Sequence, residues 1–235
     1  MRKLMLIAFL AAAPSIWAVG LQPCPTASLS SYLGNGFACI VDDKIFSDFA
    51  YPQIEIPNTT NVNPDLIVVL PRTGLQNNPI DPLNPGPGLI FFSSAWFAFP
   101  GQLVDSAILF NVRIDTENFP GMRIKDATLG IVGETHGTAA IFVTETVCPS
   151  GGVCQVLSAT AASPFHTVAF DPTLAVAVRK DIAVAADARD LESSASLSLV
   201  FQFFSQVNEV PEPGTWMMLG TGLVGLGALR RRIRS

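Results

Sequence analysis

The residues that could act as a catalytic base at neutral pH are few in this sequence. The histidines are His136, which precedes Gly137 in a predicted turn, and His166, which lies beside Thr167 in a predicted strand. A nucleophilic triad needs a Ser or Cys, a His and a carboxylate brought together, and no Gly-x-Ser-x-Gly elbow is present to expose a serine. We interpret both histidines as structural or exposed, and we predict no catalytic residues.

Carboxylates are numerous, and their number makes any single pair uninformative. Glycoside hydrolysis needs two carboxyl groups about 5 to 10 Å apart in a cleft. Glu134 and Glu145 lie near two predicted strands that could be neighbours, although Glu145 stands between two threonines and could simply face solvent. A hydrolase of polysaccharide is therefore kept as a hypothesis, and the leading interpretation is that the chain is not an enzyme.

Two loops rich in carboxylate and amide oxygens are the candidate cation ligands. They are residues 61–65 and 187–192, and calcium prefers such oxygen ligands. Neither loop has the twelve-residue spacing of an EF-hand or a nonapeptide repeat. We therefore expect no metal site and no cofactor, with calcium binding left open as the alternative.

The densest aromatic cluster contains Trp96 together with Phe91, Phe92, Phe97 and Phe99. Exposed aromatic rings can stack on sugars, with CH groups against the π surface, whereas buried rings fill a core. Strand alternation would bury one set of these side chains and expose the other, with Trp96 opposite Phe97. We favour the core for the cluster, and Trp96 is the candidate glycan contact if the body binds carbohydrate.

The elements that carry these residues are predicted to be strands. From residue 106 to residue 114 apolar side chains recur at every second position, as in a half-buried strand. Residues 73–87 are rich in Pro, Asn and Gly and are predicted to form a long surface loop, and residues 183–191 could form one short helix. Similar strand-like segments separated by turn signals are 65–70, 88–93, 95–99, 123–131, 138–147, 165–170, 174–184 and 197–207. The sequence therefore predicts an all-β body, residues 19–209, folded as an antiparallel, jelly-roll-like β-sandwich.

The two ends of the chain differ from this body. Residues 1–18 begin with Arg2 and Lys3, continue as an apolar run and end at Ala18, which is typical of a secretory signal peptide. At the other end, residues 215–229 carry no charge and are rich in Leu, Met and Gly. As a helix they would reach about 22 Å, which is short against a hydrocarbon core of roughly 30 Å. We predict a short transmembrane helix within a terminal unit of residues 210–235.

The residues on both sides of this apolar segment indicate its orientation and its role. A small motif precedes it and an arginine cluster follows it: Pro211, Glu212, Pro213, then Arg230, Arg231, Arg232 and Arg234. Arginines beside an apolar helix hold that end on the cytoplasmic side of a membrane. Short apolar tails that follow a small polar motif and end a chain are typical of segments that a processing enzyme removes.

This order of parts resembles the PEP-CTERM sorting signal of exported bacterial proteins, which exosortases process. The same tail is sometimes labelled as the C-terminal domain of ice-binding proteins, but it is an address shared by unrelated ectodomains and implies no activity. The resemblance implies export by the secretion machinery, a temporary membrane attachment, an exosortase-type partner, and a final place at the cell surface or in the extracellular matrix.

A second resemblance concerns the start of the body. From Cys39 onward the chain is similar to a group of uncharacterised PEP-CTERM proteins that carry a Cys, a Gly-Asp-Lys-like turn and a Phe-Ser-x-Phe strand. Asp42 stands where those proteins often have Gly, and Asp42 with Asp43 is predicted to form a hairpin turn between two short strands. The resemblance implies a shared fold and no activity.

The cysteines are even in number, and an exported chain favours disulfides over a metal site. Three pairings are available for Cys24, Cys39, Cys148 and Cys154. We predict Cys24 with Cys39 and Cys148 with Cys154, because each pair closes a local loop that contains turn-forming residues. Neither a CxxC pair nor a nearby histidine is present to complete a zinc site.

The charge of the exported body limits its partners. Residues 19–213, which exclude the two basic ends, keep 8 basic residues against 19 acidic ones, a net charge of −11. Such a surface repels phosphates, so nucleic acid is excluded as a partner. The leading hypothesis is a non-enzymatic surface or exopolysaccharide-associated protein with a structural or adhesive role; the alternatives are a carbohydrate-binding module for matrix glycan and a hydrolase of that glycan.

Overall fold

The computed structural model describes residues 21–53, 59–74 and 86–208. The predicted signal peptide and the predicted sorting tail, with its motif and arginine cluster, lie outside the described residues, as does most of the predicted loop at 73–87. Among the residues that are described, no helix is long and apolar enough to cross a membrane. The predicted helix at residues 215–229 lies outside the described residues.

Strands form most of the described body, and its helices are short. In chain order the elements are β1 (Ala27–Ser28), α1 (Leu29–Tyr32), β2 (Ala38–Val41), β3 (Lys44–Ala50), β4 (Thr59–Asn61), a 3-10 helix (Pro64–Leu66), β5 (Val68–Arg72), β6 (Gly88–Phe92), β7 (Phe97–Ala98), β8 (Leu103–Ile114), β9 (Met122–His136), β10 (Ala140–Pro149), β11 (Gln155–Thr160), β12 (Phe165–Thr173), β13 (Ala175–Ala185), β14 (Ser194–Phe203) and β15 (Gln206–Asn208).

The strands form two sheets that pack as a sandwich. Sheet 1 has the order β11-β10-β13-β8-β3-β2, with β4 added beside β8, and sheet 2 has the order β1-β5-β6-β14-β9-β12, with β7 on β14 and β15 on β9. The pairings that build both sheets are antiparallel, apart from the short parallel pairing of β4 with β8. From β8 to β14 the chain changes sheet at each connection except the β10–β11 hairpin. The predicted all-β antiparallel sandwich is confirmed.

Alternation along each strand sorts side chains between the core and the outer surfaces. In β8, Phe110 and Val112 are buried, whereas Asn111 and Arg113 are exposed. The Phe110 ring lies 5.4 Å from that of Phe49 in sheet 1 and 6.0 Å from that of Phe91 in sheet 2. Aromatic contacts of this kind add to the free energy of burial, so this ring helps to hold the two sheets together.

The predicted hairpin at Asp42 and Asp43 is present between β2 and β3. Asp42 has φ of +52°, in the left-handed region that glycine adopts at the least cost. The Asp42 Oδ2 atom also accepts a hydrogen bond from the Gly74 amide at 2.7 Å.

Both predicted disulfides are confirmed. Cys24 is bonded to Cys39, which attaches the N-terminal segment to β2, and Cys148 is bonded to Cys154 across the β10–β11 turn. Such bonds restrict the unfolded chain and suit an exported protein.

The sequence analysis was wrong about two segments of the body. Residues 183–191 form no helix, because the alanine-rich start of this segment belongs to β13, where Ala183 pairs with Phe142 and with Asp105. Tertiary pairing here overrides a local helix preference.

Strand β11 was not predicted. Only Leu157 and Ala159 of its side chains are buried, so the alternation of apolar and polar residues is weak in this part of the sequence.

Trp96 lies in the core. Its side chain is 0% exposed, and its indole Nε1 donates a hydrogen bond to Ser106 Oγ at 3.0 Å. This corrects the assignment of Trp96 as a glycan contact, because no part of the ring faces solvent. The sequence analysis favoured the core for the cluster; Phe91 is buried with Trp96, whereas Phe92 and Phe99 are exposed.

We predict that Trp96→Ala lowers the free energy of unfolding by about 3–5 kcal/mol, the cost of removing a large aromatic side chain from a packed core. Denaturant unfolding of the exported body measures this. Phe99→Ala is the matched control, since Phe99 is 59% exposed and its loss should change stability by only about 0.5 kcal/mol. Equal losses in the two variants would contradict the burial of Trp96.

Candidate binding face

The outer surface of sheet 2 is apolar along a row that crosses five strands. Phe165 in β12 is opposite Gly130 in β9, which is opposite Phe201 in β14. Phe201 is opposite Ile90 in β6, and Ile90 is opposite Leu70 in β5. Side chains at directly opposed positions of neighbouring strands lie on the same face, so this row forms a continuous apolar strip on the outside of the sandwich.

The rings in this row lie flat against the sheet. The Phe165 and Phe201 centroids are 6.5 Å apart with planes tilted by 21°, and Phe203 continues the series at 6.0 Å and 25°. Glycine makes this possible, because a Cβ atom at Gly130 would lie 2.6 Å from the Phe165 ring and 3.2 Å from the Phe201 ring. The absence of a side chain at this position therefore lets two rings rest on the backbone.

A second apolar row runs beside the first. Leu199 in β14 is opposite Phe92 in β6 and Val132 in β9, and Phe92 and Val132 are 41% and 47% exposed. Further along the same face, Phe97 of β7 contacts Phe99 at 4.6 Å between ring centroids. We call the outward side chains of sheet 2 the aromatic face; its members are Ile90, Phe92, Phe97, Val132, Phe165, Leu199 and Phe201.

Polar groups border the aromatic face. At one side the Thr128 and Thr167 hydroxyls are hydrogen-bonded to each other at 2.9 Å. The Arg72 guanidinium lies over the Phe203 ring at 5.9 Å, a cation–π contact. Exposed Glu134 lies at the opposite end of β9. An apolar centre with a polar border is typical of a binding surface.

The outer surface of sheet 1 is different in character. It contains a shallow depression of about 480 Å³ whose polar lining includes Asp48, Asn111, Thr146 and Arg179. Hydrogen bonds from Asn111 at 3.0 Å and from Ser47 at 2.8 Å lower the pKa of Asp48. The carboxylate there is already satisfied within the protein. The described lining contains no exposed aromatic ring.

The residues considered for hydrolytic chemistry are not brought together. Glu134 is exposed on the outer face of sheet 2, whereas Glu145 is fully buried between the sheets, so the two carboxyl groups share no cleft. This corrects the expectation that Glu145 faces solvent. His166 Nδ1 accepts a hydrogen bond from the Ser158 amide at 3.1 Å, which joins β12 to β11, and His136 is exposed at the end of β9.

The two loops proposed as calcium ligands use several of their oxygens in turns. Asn63 Oδ1 accepts from the Asp65 amide at 3.0 Å, and Asp187 Oδ1 accepts from the Arg189 amide at 2.8 Å. Across residues 21–53, 59–74 and 86–208, no group of three or more His, Cys, Asp or Glu side chains is arranged to hold a metal ion. Calcium binding stays the open alternative to the expectation of no metal site.

A group of three polar side chains that the sequence analysis did not recognise lies between the sheets. Glu145, Lys180 and Gln202 are each 0% exposed, and Lys180 Nζ donates to Glu145 Oε2 and to Gln202 Oε1. Burial lowers the pKa of Lys180 and raises that of Glu145, and the attraction between the two opposes both changes. The sequence did carry a signal, since Lys180 and Glu145 occupy inward positions among the alternating apolar residues of β13 and β10.

A second buried lysine lies at the edge of the sandwich. Lys44 is 0% exposed and donates to Asp43 Oδ1 and to Gln206 Oε1, both at 2.8 Å. Burial lowers the pKa of Lys44, and neighbouring Asp43 opposes that shift. Because Gln206 lies in β15, this contact ties the last described strand to sheet 1.

The comparisons with known proteins concern mainly the end of the chain. The family model of the PEP-CTERM protein-sorting motif matches residues 209–232, so the chain carries this motif where the sequence analysis expected it. No curated protein matches the sequence significantly.

Three solved structures are similar to the chain at a low level. TmCBM61 in complex with beta-1,4-galactotriose is 8% identical with a TM-score of 0.29, covering 68% of this chain and 90% of that one. The enzymatically active domain of tailspike protein 4 from bacteriophage CBA120 is 11% identical with a TM-score of 0.28, covering 68% and 20%. The Glycosylation Associate Protein (Gap123) complex from Streptococcus agalactiae is 14% identical with a TM-score of 0.26, covering 57% and 24%. Likeness at this level carries no argument about function.

We predict that Gly130→Ala lowers the free energy of unfolding by about 1–3 kcal/mol, because the added methyl group must displace the rings of the aromatic face. Gly34→Ala is the matched control, since a Cβ atom at Gly34 meets nothing within 4 Å. Urea unfolding compares the two variants. If both variants unfold at the same urea concentration, the rings do not rest on Gly130.

Proposed function

We propose that this chain, an exported surface protein with a PEP-CTERM sorting motif, is a non-enzymatic adhesive protein that holds extracellular polysaccharide through its aromatic face. The motif supports the destination, because tails of this kind direct exported proteins to processing at the membrane. The body then supplies the adhesive surface.

The observation that carries this proposal is the row of nearly parallel phenylalanine rings on the outer surface of sheet 2, in which Phe165 is exposed and Phe201 is half-buried. Phe165 is 63% exposed, and its ring is nearly parallel to that of Phe201. The CH groups of a pyranose ring pack well against such π surfaces. Because Gly130 supports both rings from below, little side-chain entropy is lost when a ligand binds.

The polar surroundings favour a particular class of glycan. The Thr128 and Thr167 hydroxyls stand beside the rings and can exchange their mutual hydrogen bond for bonds to sugar hydroxyls. Residues 19–213 have a net charge of −11, which repels anionic polymers. We therefore infer a neutral polysaccharide, or one that carries amino groups, as the ligand.

A non-enzymatic role fits the arrangement of the titratable groups. Hydrolysis by a carboxyl pair needs both groups on one substrate cleft, and Glu134 and Glu145 lie on opposite sides of sheet 2. The aromatic face itself presents rings and threonine hydroxyls, which bind and orient but do not transfer protons at neutral pH.

We predict that Phe165→Ala weakens binding to neutral extracellular polysaccharide about tenfold, because one stacked ring contributes roughly 1–2 kcal/mol. Co-sedimentation of the purified chain with the insoluble polysaccharide of its own cells measures the affinity. Phe142→Ala is the matched control, since Phe142 is 48% exposed on the outer surface of sheet 1.

Two results would contradict this proposal. One is equal binding by the wild-type chain and both variants, which would place the ligand elsewhere. The other is a wild-type chain that ignores polysaccharide but forms dimers that Phe165→Ala abolishes, which would make the aromatic face a contact between copies of this chain.

Removal of the tail has a separate test. We predict that protein recovered from the cell exterior ends near Pro213, because the apolar segment is short for a permanent anchor and the PEP-CTERM motif directs processing. Intact-mass measurement defines the C-terminus. A recovered chain that still contains Arg230 and the residues after it would show that the tail is kept.

A further inference from the structure

The buried polar group connects the two sheets at their centre. Lys180 in β13 and Glu145 in β10 are directly opposite each other in sheet 1, and Gln202 reaches them from β14 in sheet 2. The Lys180 amine contacts both the carboxyl oxygen Oε2 of Glu145 and the amide oxygen Oε1 of Gln202. An amine, an amide and a carboxyl group therefore meet in a space from which water is excluded.

We propose that Lys180 and Gln202 become joined by an amide bond between Nζ of the lysine and Cδ of the glutamine, with Glu145 as the acid–base group. This reaction goes beyond the proposed binding function and is independent of it, because the aromatic face lies on the other side of sheet 2.

The environment favours the uncharged forms that this reaction needs. An amine attacks a carbonyl carbon only through its free lone pair, and desolvation disfavours the charged form of a buried group. Burial lowers the pKa of Lys180 and raises the pKa of Glu145. The amine can therefore be neutral while the carboxyl group holds a proton to give.

The atoms of the reaction balance without any further reagent. The Lys180 Nζ lone pair forms a bond to Gln202 Cδ while Glu145 protonates Oε1, which gives a tetrahedral centre. Glu145 then takes a proton from Nζ and gives it to Nε2, and the Cδ–Nε2 bond breaks to release ammonia. The Oε1 proton returns to Glu145, so the products are one new amide, one ammonia and the original carboxylic acid.

The roles of Glu145 and Gln202 follow from their functional groups. A carboxyl group can both give and accept a proton, whereas a carboxamide has no comparable acid–base capacity. Among the described residues, Glu145 Oε1 and Gln202 Nε2 make no hydrogen bond of acceptable geometry. Gln202 is nevertheless close enough to Glu145 to lower the pKa of its carboxyl group, so the amide and the acid–base group are neighbours.

The bond would also remove an energetic cost. A lysine and a glutamate buried as ions each lose the hydration of their charge, and their mutual attraction often fails to offset that loss. A neutral amide between β13 and β14 would replace the ionisable amine and tie sheet 1 to sheet 2 covalently. Such a tie suits a protein exposed to mechanical load outside the cell.

Peptide mapping of the exported full-length chain tests the proposal directly. After reduction, denaturation and trypsin digestion, we expect residues 180–189 to remain joined to the peptide that begins at Asp190, with a combined mass lower by one ammonia. Cleavage after Lys180 should be absent. Recovery of these peptides in unlinked form from the wild-type chain would overturn the proposal, as would loss of one water with Lys180 joined to Glu145.

Two variants separate the chemistry from general effects on the fold. Glu145→Gln keeps the shape of the side chain but removes the acid–base group, and linking should slow on the order of a hundredfold or more, leaving mostly unlinked peptides. Lys44→Met is the matched control, because within residues 21–53, 59–74 and 86–208 Lys44 is the other buried lysine that contacts a glutamine, and its chain should keep the linked pair. A linked pair that persists in Glu145→Gln would overturn the role of Glu145.

Discussion

The space between the two sheets accepts only one face of each strand, and this constraint decides what each side chain can do. Trp96 falls on the inward face and fills the core, whereas neighbouring Phe97 falls on the outward face and is available for contact. A shift of one residue in register would exchange these roles. The aromatic face therefore exists because sheet 2 has a second side that the core does not use.

The same constraint explains the buried polar group. Lys180 and Glu145 occupy inward positions of β13 and β10, where the alternation otherwise places valine and isoleucine. Two ionisable groups in such positions destabilise a core unless they neutralise each other or react. Gln202 approaches from the opposite sheet, so the three groups can meet only when the sandwich has closed. Any chemistry between them is therefore coupled to folding.

The proposed binding surface and the proposed covalent bond lie in different regions of the molecule. The outer surface of sheet 2 offers a large apolar contact, and the interior between the sheets offers a place for a covalent tie. Strand β15 precedes the sorting motif at 209–232 and is attached both to β9 by backbone pairing and to Lys44 through Gln206. The point at which the tail leaves the body is thus held by both sheets.

Local patterns in the sequence predicted the sorting motif, the all-β class and the disulfide pairing. These features depend on contiguous residues: an apolar segment beside an arginine cluster, a period of two, and cysteines close together in the chain. The hairpin at Asp42 was predictable for the same reason, although its left-handed backbone was not.

Only the tertiary structure decided which faces and which distant residues meet. Alternation showed that the stretch around Trp96 would be divided between core and surface, but it could not say which half faced the other sheet. Alternation also could not predict that Phe165 lies beside Phe201 across Gly130, or that Gln202 contacts Lys180. Strand order and sheet packing decide these contacts, and both depend on long-range pairing. The binding face and the buried reactive group are products of that pairing.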